Sequence, residues 1–196
     1  MKMTRFLMPA ALALATLFSA SAGAQQHIKR DPAGDLLTLQ SGDAVRLPVC
    51  MDSEGAKVRF SIARGQHTDY KGITSSWDAF STFSVNGAQT ILNTGLINSG
   101  ISSDAVTYLA EHECVHHERG HIRKAYLDTM QGLPLDDQYG LELEADCGAA
   151  QSLQKKYGWG EMELRGIFNS FPQREKTDTH PSTAERLEKV LSCLVP

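Results

Sequence analysis

The chain has 196 residues, with 19 Lys or Arg against 23 Asp or Glu and a formal net charge of −4. That acidic balance argues against nucleic acid or an anionic membrane as partner. The length suits a single domain with a real hydrophobic core.

Residues 1–24 read as a secretory signal peptide of bacterial style. Lys2 and Arg5 make a basic start, Phe6 to Phe18 is almost wholly apolar, and Ala22-Gly23-Ala24 is a small-x-small cleavage site. The apolar run is shorter than the ~20 residues that a spanning helix needs. No later stretch is apolar enough to cross a bilayer, so no stable membrane insertion is expected after cleavage near Ala24. An uncleaved anchor is the alternative. Cleavage removes two positive charges and no negative ones, so −4 becomes −6 for residues 25–196. A periplasmic or secreted location follows. Cys50, Cys114, Cys147 and Cys193 then meet an oxidising compartment, where two disulfides are expected. Spacing does not choose among the three pairings, and a buried free thiol at Cys114 is the bland alternative.

In chain order, residues 25–43 are polar and carry Pro32 and Gly34, as a flexible arm or a pro-segment would. Ala44 to Met51 reads as a short strand, with Pro48 pointing to an edge. Lys57 to Ala63 alternates, with Val58, Phe60 and Ile62 on one face of a half-buried strand. Residues 64–78 read as loop. Phe80 to Val85 and Ala88 to Leu92 flank Asn86-Gly87, a strong hairpin signal. Such a hairpin completes a sheet, and its edge could receive an extended peptide.

A helix is expected next, capped by Ser102 or Ser103, with Val106, Ala110 and Cys114 as its apolar stripe. Residues 122–136 read as a connection with Gly132 and Pro134. A second helix spans about Asp137 to Tyr157 and stops at Gly158. A third spans about Glu161 to Phe171, and a fourth begins at Ser182, which forms a capping box with Glu185.

The first of these helices carries the chemistry. His112, Glu113 and His116 form HExxH, and an i, i+4 histidine pair lies about 40° apart on one helix face. Such a pair can bind one metal ion, with the glutamate beside it as general base. A second copy overlaps it, HERGH at 117–121, but it would place Arg119 beside the metal and Gly120 inside the motif. On a continuous helix His121 lies about 180° from His112, which gives it a structural role. A peptidase zinc site needs a third protein ligand and an open position. Glu142 and Asp146, at i, i+4 on the second helix, supply a ligand and a carboxylate to orient a ligand histidine. Glu144 reads as part of a solvated acidic face. His180, just before a helix start, could donate to a developing oxyanion, though a lone loop histidine is more often a surface residue.

Taken together, HECVHHERGH, ELEAD and THPSTAER resemble the HtpX-like and CaaX-prenyl-protease-like gluzincin peptidases. The match falls on His112, Glu113, His116, His121, Glu142, Ala145, Asp146, His180, Pro181 and Arg186, within residues 103–192. The resemblance implies one zinc ion per chain, held by His112, His116 and Glu142. It implies Glu113 as base, His180 near the zinc, and Arg186 behind the ligands. The chain departs from the larger members in lacking further membrane helices and a repeat domain, which argues against membrane-protein substrates.

The expected architecture is α+β and zincin-like, with a small twisted β-sheet, the HExxH helix and a mainly helical C-terminal half. The expected function is zinc endopeptidase activity on exported or misfolded proteins. The alternatives are a zinc-binding chaperone-like protein, a latent enzyme, and a disulfide-stapled structural domain. The intact Glu113 argues against pure binding, and the structural domain predicts no stoichiometric zinc.

Overall fold

A computed structural model describes residues 28–63, 67–68, 74–75, 79–134, 137–177 and 180–195. The expected signal segment, residues 1–24, lies outside the described residues, as does most of the loop expected over 64–78. Among the described residues no helix is long and apolar enough to cross a membrane.

The architecture is α+β, with small sheets against a helical C-terminal half. Strands β1 (Ile28–Lys29), β2 (Leu36–Thr38) and β3 (Ala44–Arg46) form an antiparallel sheet in that order. Two parts of the stretch read as an arm, Ile28–Lys29 and Leu36–Thr38, therefore belong to a sheet, and Leu37 and Leu39 are buried in the core. The strand expected over Ala44 to Met51 stops at Arg46. After it Leu47 and Cys50 still point inward, and Met51 returns as a single bridge to Lys57. Among the described residues β3 is an edge strand.

The second sheet has the order β4 (Arg59–Ala63), β8 (Gly87–Asn93), β7 (Ala79–Ser84). β4 runs parallel to β8 and β7 antiparallel to it. Val58, Phe60 and Ile62 are buried, as their alternation requires. Two short strands, β5 (His67–Thr68) and β6 (Thr74–Ser75), pair between β4 and β7. The hairpin forms, but its turn is shifted by one residue. Ser84 pairs with Gly87, so Val85 and Asn86 are the turn. An Asn-Gly turn of the expected type needs positive φ at both central residues. Only Gly87 has it, at 96°, and Asn86 does not.

Helices α1 (Thr94–Ile97), α2 (Ser103–Glu118), α3 (His121–Gln131), α4 (Gln138–Tyr157), α5 (Glu161–Ser170) and α6 (Thr183–Ser192) follow. The Ser102 hydroxyl accepts from the Ala105 amide and starts α2. Val106, Ala110 and Cys114 are buried along its length. α2 lies at the centre, touching β3, β7, β8, α3, α4 and α5.

The stretch over 122–136 is mostly helix rather than connection. The reason is local. α2 ends at Glu118, and Gly120 takes φ 74°, a left-handed turn that L side chains rarely adopt. The chain then restarts as α3, which packs along β7 with the Phe83 and Tyr126 rings 5.4 Å apart.

α4 approaches α2 through small residues. Ala145, Ala149 and Ala150 are fully buried. At Gly148 a Cβ would sit 2.8 Å from Val115 Cγ1, so only glycine allows this spacing. All four cysteines are bonded, Cys50 with Cys114 and Cys147 with Cys193. The free-thiol alternative for Cys114 is thereby removed. One bridge ties α2 to the segment after β3, and the other ties α4 to the end of α6.

Candidate metal centre

α2 carries His112, Glu113 and His116 toward α4, and all three are buried. Their helix spacing puts both imidazoles on one face. The close α2–α4 packing sets Glu142 opposite them. The Nε2 atoms of His112 and His116 are 3.2 Å apart. Glu142 Oε2 lies 3.3 Å from His112 Nε2, and Oε1 lies 3.5 Å from His116 Nε2.

These three residues could hold a metal ion. Zinc with nitrogen and oxygen ligands at ~2.0–2.1 Å in a tetrahedron separates its donor atoms by about 3.3 Å. The His112–His116 separation and that from His112 to Glu142 Oε2 are close to that figure, the His116 contact is made by the other carboxylate oxygen, and the donor set is one that zinc accepts.

Behind His112 stands a buried polar network. Its Nδ1 is 2.9 Å from Asp146 Oδ1. Asp146 is fully buried and receives Arg186 through two bonds, Nε to Oδ2 at 2.8 Å and Nη2 to Oδ1 at 2.7 Å. The Tyr108 hydroxyl also donates to Oδ1, at 2.7 Å. Tyr108 is itself clamped by Phe168 of α5 and by Phe171 just after it.

The charges follow from these contacts. Burial works against the charged Asp146 carboxylate, but Arg186 outweighs it and holds the group well below its ordinary range. Burial would also keep His112 neutral; Asp146 and Glu142 reverse that, pushing it up to about 10 in the metal-free protein. Glu142 resists its own burial through the His112 hydrogen bond and the positive charges around it, His112 and Arg186 among them, and falls to about 2. Burial wins at His116, which drops to about 3. Burial also raises the Glu113 carboxyl, the direction a general base near neutral pH needs. The Ser81 hydroxyl on β7 donates to the Glu113 main-chain oxygen at 3.2 Å, so the sheet edge is fastened directly to the motif.

Among the described residues the overlapping HERGH forms no comparable group. His117 is buried against the main chain of Gln89 on β8, and burial lowers it to about 4. His121 is not on α2 at all. The turn at Gly120 brings it back toward His116, with the two Nδ1 atoms 3.1 Å apart. A continuous helix would have kept them apart. Glu144 is half-exposed but not merely solvated, since it pairs with Arg119 at 3.1 Å and His121 at 3.5 Å.

His180 lies in the turn before α6 and is exposed; its amide donates to Thr177 Oγ1 at 2.9 Å. It is not among the three converging donors.

Sequence reading passed over Tyr108, Ser81 and Glu111. Tyr108 had a signal, since it precedes His112 by one helical turn on the same face. Glu111 is buried and binds Lys156 and Ser152 of α4, at 2.7 and 3.0 Å. It fastens the two helices that carry the converging donors. Comparison of the chain with family models, with curated proteins and with solved structures finds no match.

Proposed function

We propose that this chain is an exported zinc-dependent endopeptidase of zincin-like build. The supporting observation is the convergence of His112, His116 and Glu142, whose donor atoms lie within 4.8 Å of one another, with buried Glu113 beside them. The two disulfide bridges fit a non-reducing compartment.

A zinc ion bound there would polarise a scissile carbonyl and acidify water toward pKa ~7. The remaining work falls to the chain. Asp146 and Arg186 hold the His112 ring in one orientation. Glu113, raised by burial, takes a proton from water and passes it to the leaving amine. Among the described residues β7 is an edge strand against α2, along which an extended substrate could add as a further strand. His180 is assigned to steady the oxyanion, on the His-Pro position that the resemblance carries.

The deciding experiment measures zinc stoichiometry and turnover of an unfolded protein substrate. One zinc per chain is expected, lost in Glu142→Ala. Glu113→Gln should keep the zinc and lose turnover. Absence of zinc from the wild type would sink the proposal, and full turnover in Glu113→Gln would remove Glu113 from its role.

A further inference from the structure

The two histidines of the centre are supported unequally. His112 leans on Asp146, which is buried and locked by Arg186. The other Nδ1, that of His116, faces His121 Nδ1 at 3.1 Å, with the rings nearly perpendicular at 76°. Two ring nitrogens at this distance share one proton, so one donates and the other accepts. His116 Nε2 faces His112 and Glu142, and as a metal ligand it must offer its lone pair there. Its proton is therefore on Nδ1, and His121 Nδ1 accepts. The His121 proton is then on Nε2, which faces Glu144 Oε2 at 3.5 Å. Glu144 is held in turn by Arg119 at 3.1 Å.

We propose that His121 and Glu144 are positioning residues for His116, a two-step relay that fixes its tautomer and ring plane for metal binding. This rests on the metal-centre reading above. One backbone feature makes the relay possible. On a continuous helix His121 would lie about 140° around from His116. The left-handed turn at Gly120 returns it, and the turn is backed by Ser53, 3.1 Å from where a Cβ on Gly120 would stand. Arg123 of α3 binds Glu54 at 2.6 Å and holds the same loop in place. The His116 arm thus ends on a half-exposed carboxylate, whereas the His112 arm ends in the core.

The test is zinc affinity of the full, disulfide-bonded chain, measured by competition with a chromophoric chelator. His121→Phe keeps a flat aromatic ring without its nitrogens and should weaken zinc by about ten-fold or more, and Glu144→Ala by a smaller factor of about three or more. Glu144→Gln keeps an acceptor and should restore most of that loss. Glu144→Ala should add nothing on top of His121→Phe, because its effect passes through His121. Unchanged affinity in His121→Phe, or a full Glu144→Ala effect in its background, overturns the proposal while leaving the metal centre standing. Absence of zinc from the wild type overturns both. Nitrogen chemical shifts of the wild type give a readout that needs no variant to fold. A proton on His116 Nδ1 and His121 Nε2 is expected, and a His121 proton on Nδ1 overturns the relay.

Discussion

Arg186 grips both oxygens of Asp146, at 2.8 and 2.7 Å, and so joins α6 to the back of the His112 ring on α2. Asp146 has no exposure, and Arg186 supplies its compensating charge. Arg186→Ala should destabilise the metal-free protein by about 3 kcal/mol or more, the cost of leaving a buried charge unpaired. Arg186→Lys should recover only part, because a lysine cannot grip both oxygens as a planar fork does. Urea unfolding of the two variants checks this.

Gly148→Ala sets two effects against each other. In an exposed helix alanine is favoured by about 1 kcal/mol. Here the new methyl would meet Val115 Cγ1 and Cγ2 at 2.8 and 2.9 Å. Overpacking of this kind costs about 1–3 kcal/mol, so the net change should be destabilising. Because α4 must move off α2, zinc affinity should fall as well. A stabilised variant with unchanged zinc binding would show that the helices have room to spare.

Acid should act on the start of α6. Glu185 accepts from the Ser182 main-chain amide and hydroxyl, each at 2.8 Å, and from Tyr139 at 2.9 Å. These bonds hold its carboxyl down at about 2, below its ordinary 4.5. A depressed carboxylate stabilises the fold above pH 4.5 and loses that contribution as the pH falls toward 2. Glu185→Gln keeps the capping geometry without the charge. The stability gap between wild type and Glu185→Gln should therefore be open at pH 7 and closed near pH 2, as read by thermal unfolding across that range.

The two disulfides should separate in their effects on the metal. Replacing either pair by serine should cost about 2–5 kcal/mol of stability. Cys114 lies on the apolar stripe of α2 with Val106 and Ala110, so loss of its bridge to Cys50 should leave zinc affinity unchanged. Cys147 follows Asp146 directly, and its bridge to Cys193 ties α4 to the end of α6, the helix that carries Arg186. Loss of that bridge should weaken zinc binding. Chelator competition on the two double variants distinguishes them.

Zinc removal should lower the melting temperature. A ligand present at a hundred-fold excess over its Kd stabilises the folded state by about 2.7 kcal/mol. The wild type should lose this on chelation, and Glu142→Ala should show no difference with or without zinc.

Much of the helical half was legible from residue patterns. The Ser102 cap, the Gly158 stop and the Ser182–Glu185 capping box each act within one turn, and each stands where those residues place it. The same holds for the common face of His112 and His116, which depends only on the pitch of one helix. The hairpin was legible as an element but not in its turn, since Asn86 lacks the positive φ that the Asn-Gly pattern leads one to expect. His121 was misplaced because helical extrapolation fails beyond Gly120, where the backbone turns left-handed. Residues 28–43 looked like an arm because their composition is polar, yet two leucines spaced two apart, Leu37 and Leu39, anchor them in the core.

What the sequence by itself determined was therefore local: helix ends, apolar faces, and the pairing of two histidines with a glutamate on one surface. What only the tertiary structure decided was which distant groups meet. Glu142 reaches the histidines because small residues and Gly148 let α4 close on α2. Cys50 meets Cys114, and Cys147 meets Cys193, because the same packing brings their segments together. Spacing along a chain fixes angles on one element, but contacts between elements depend on how their surfaces interlock, and no short-range pattern encodes that.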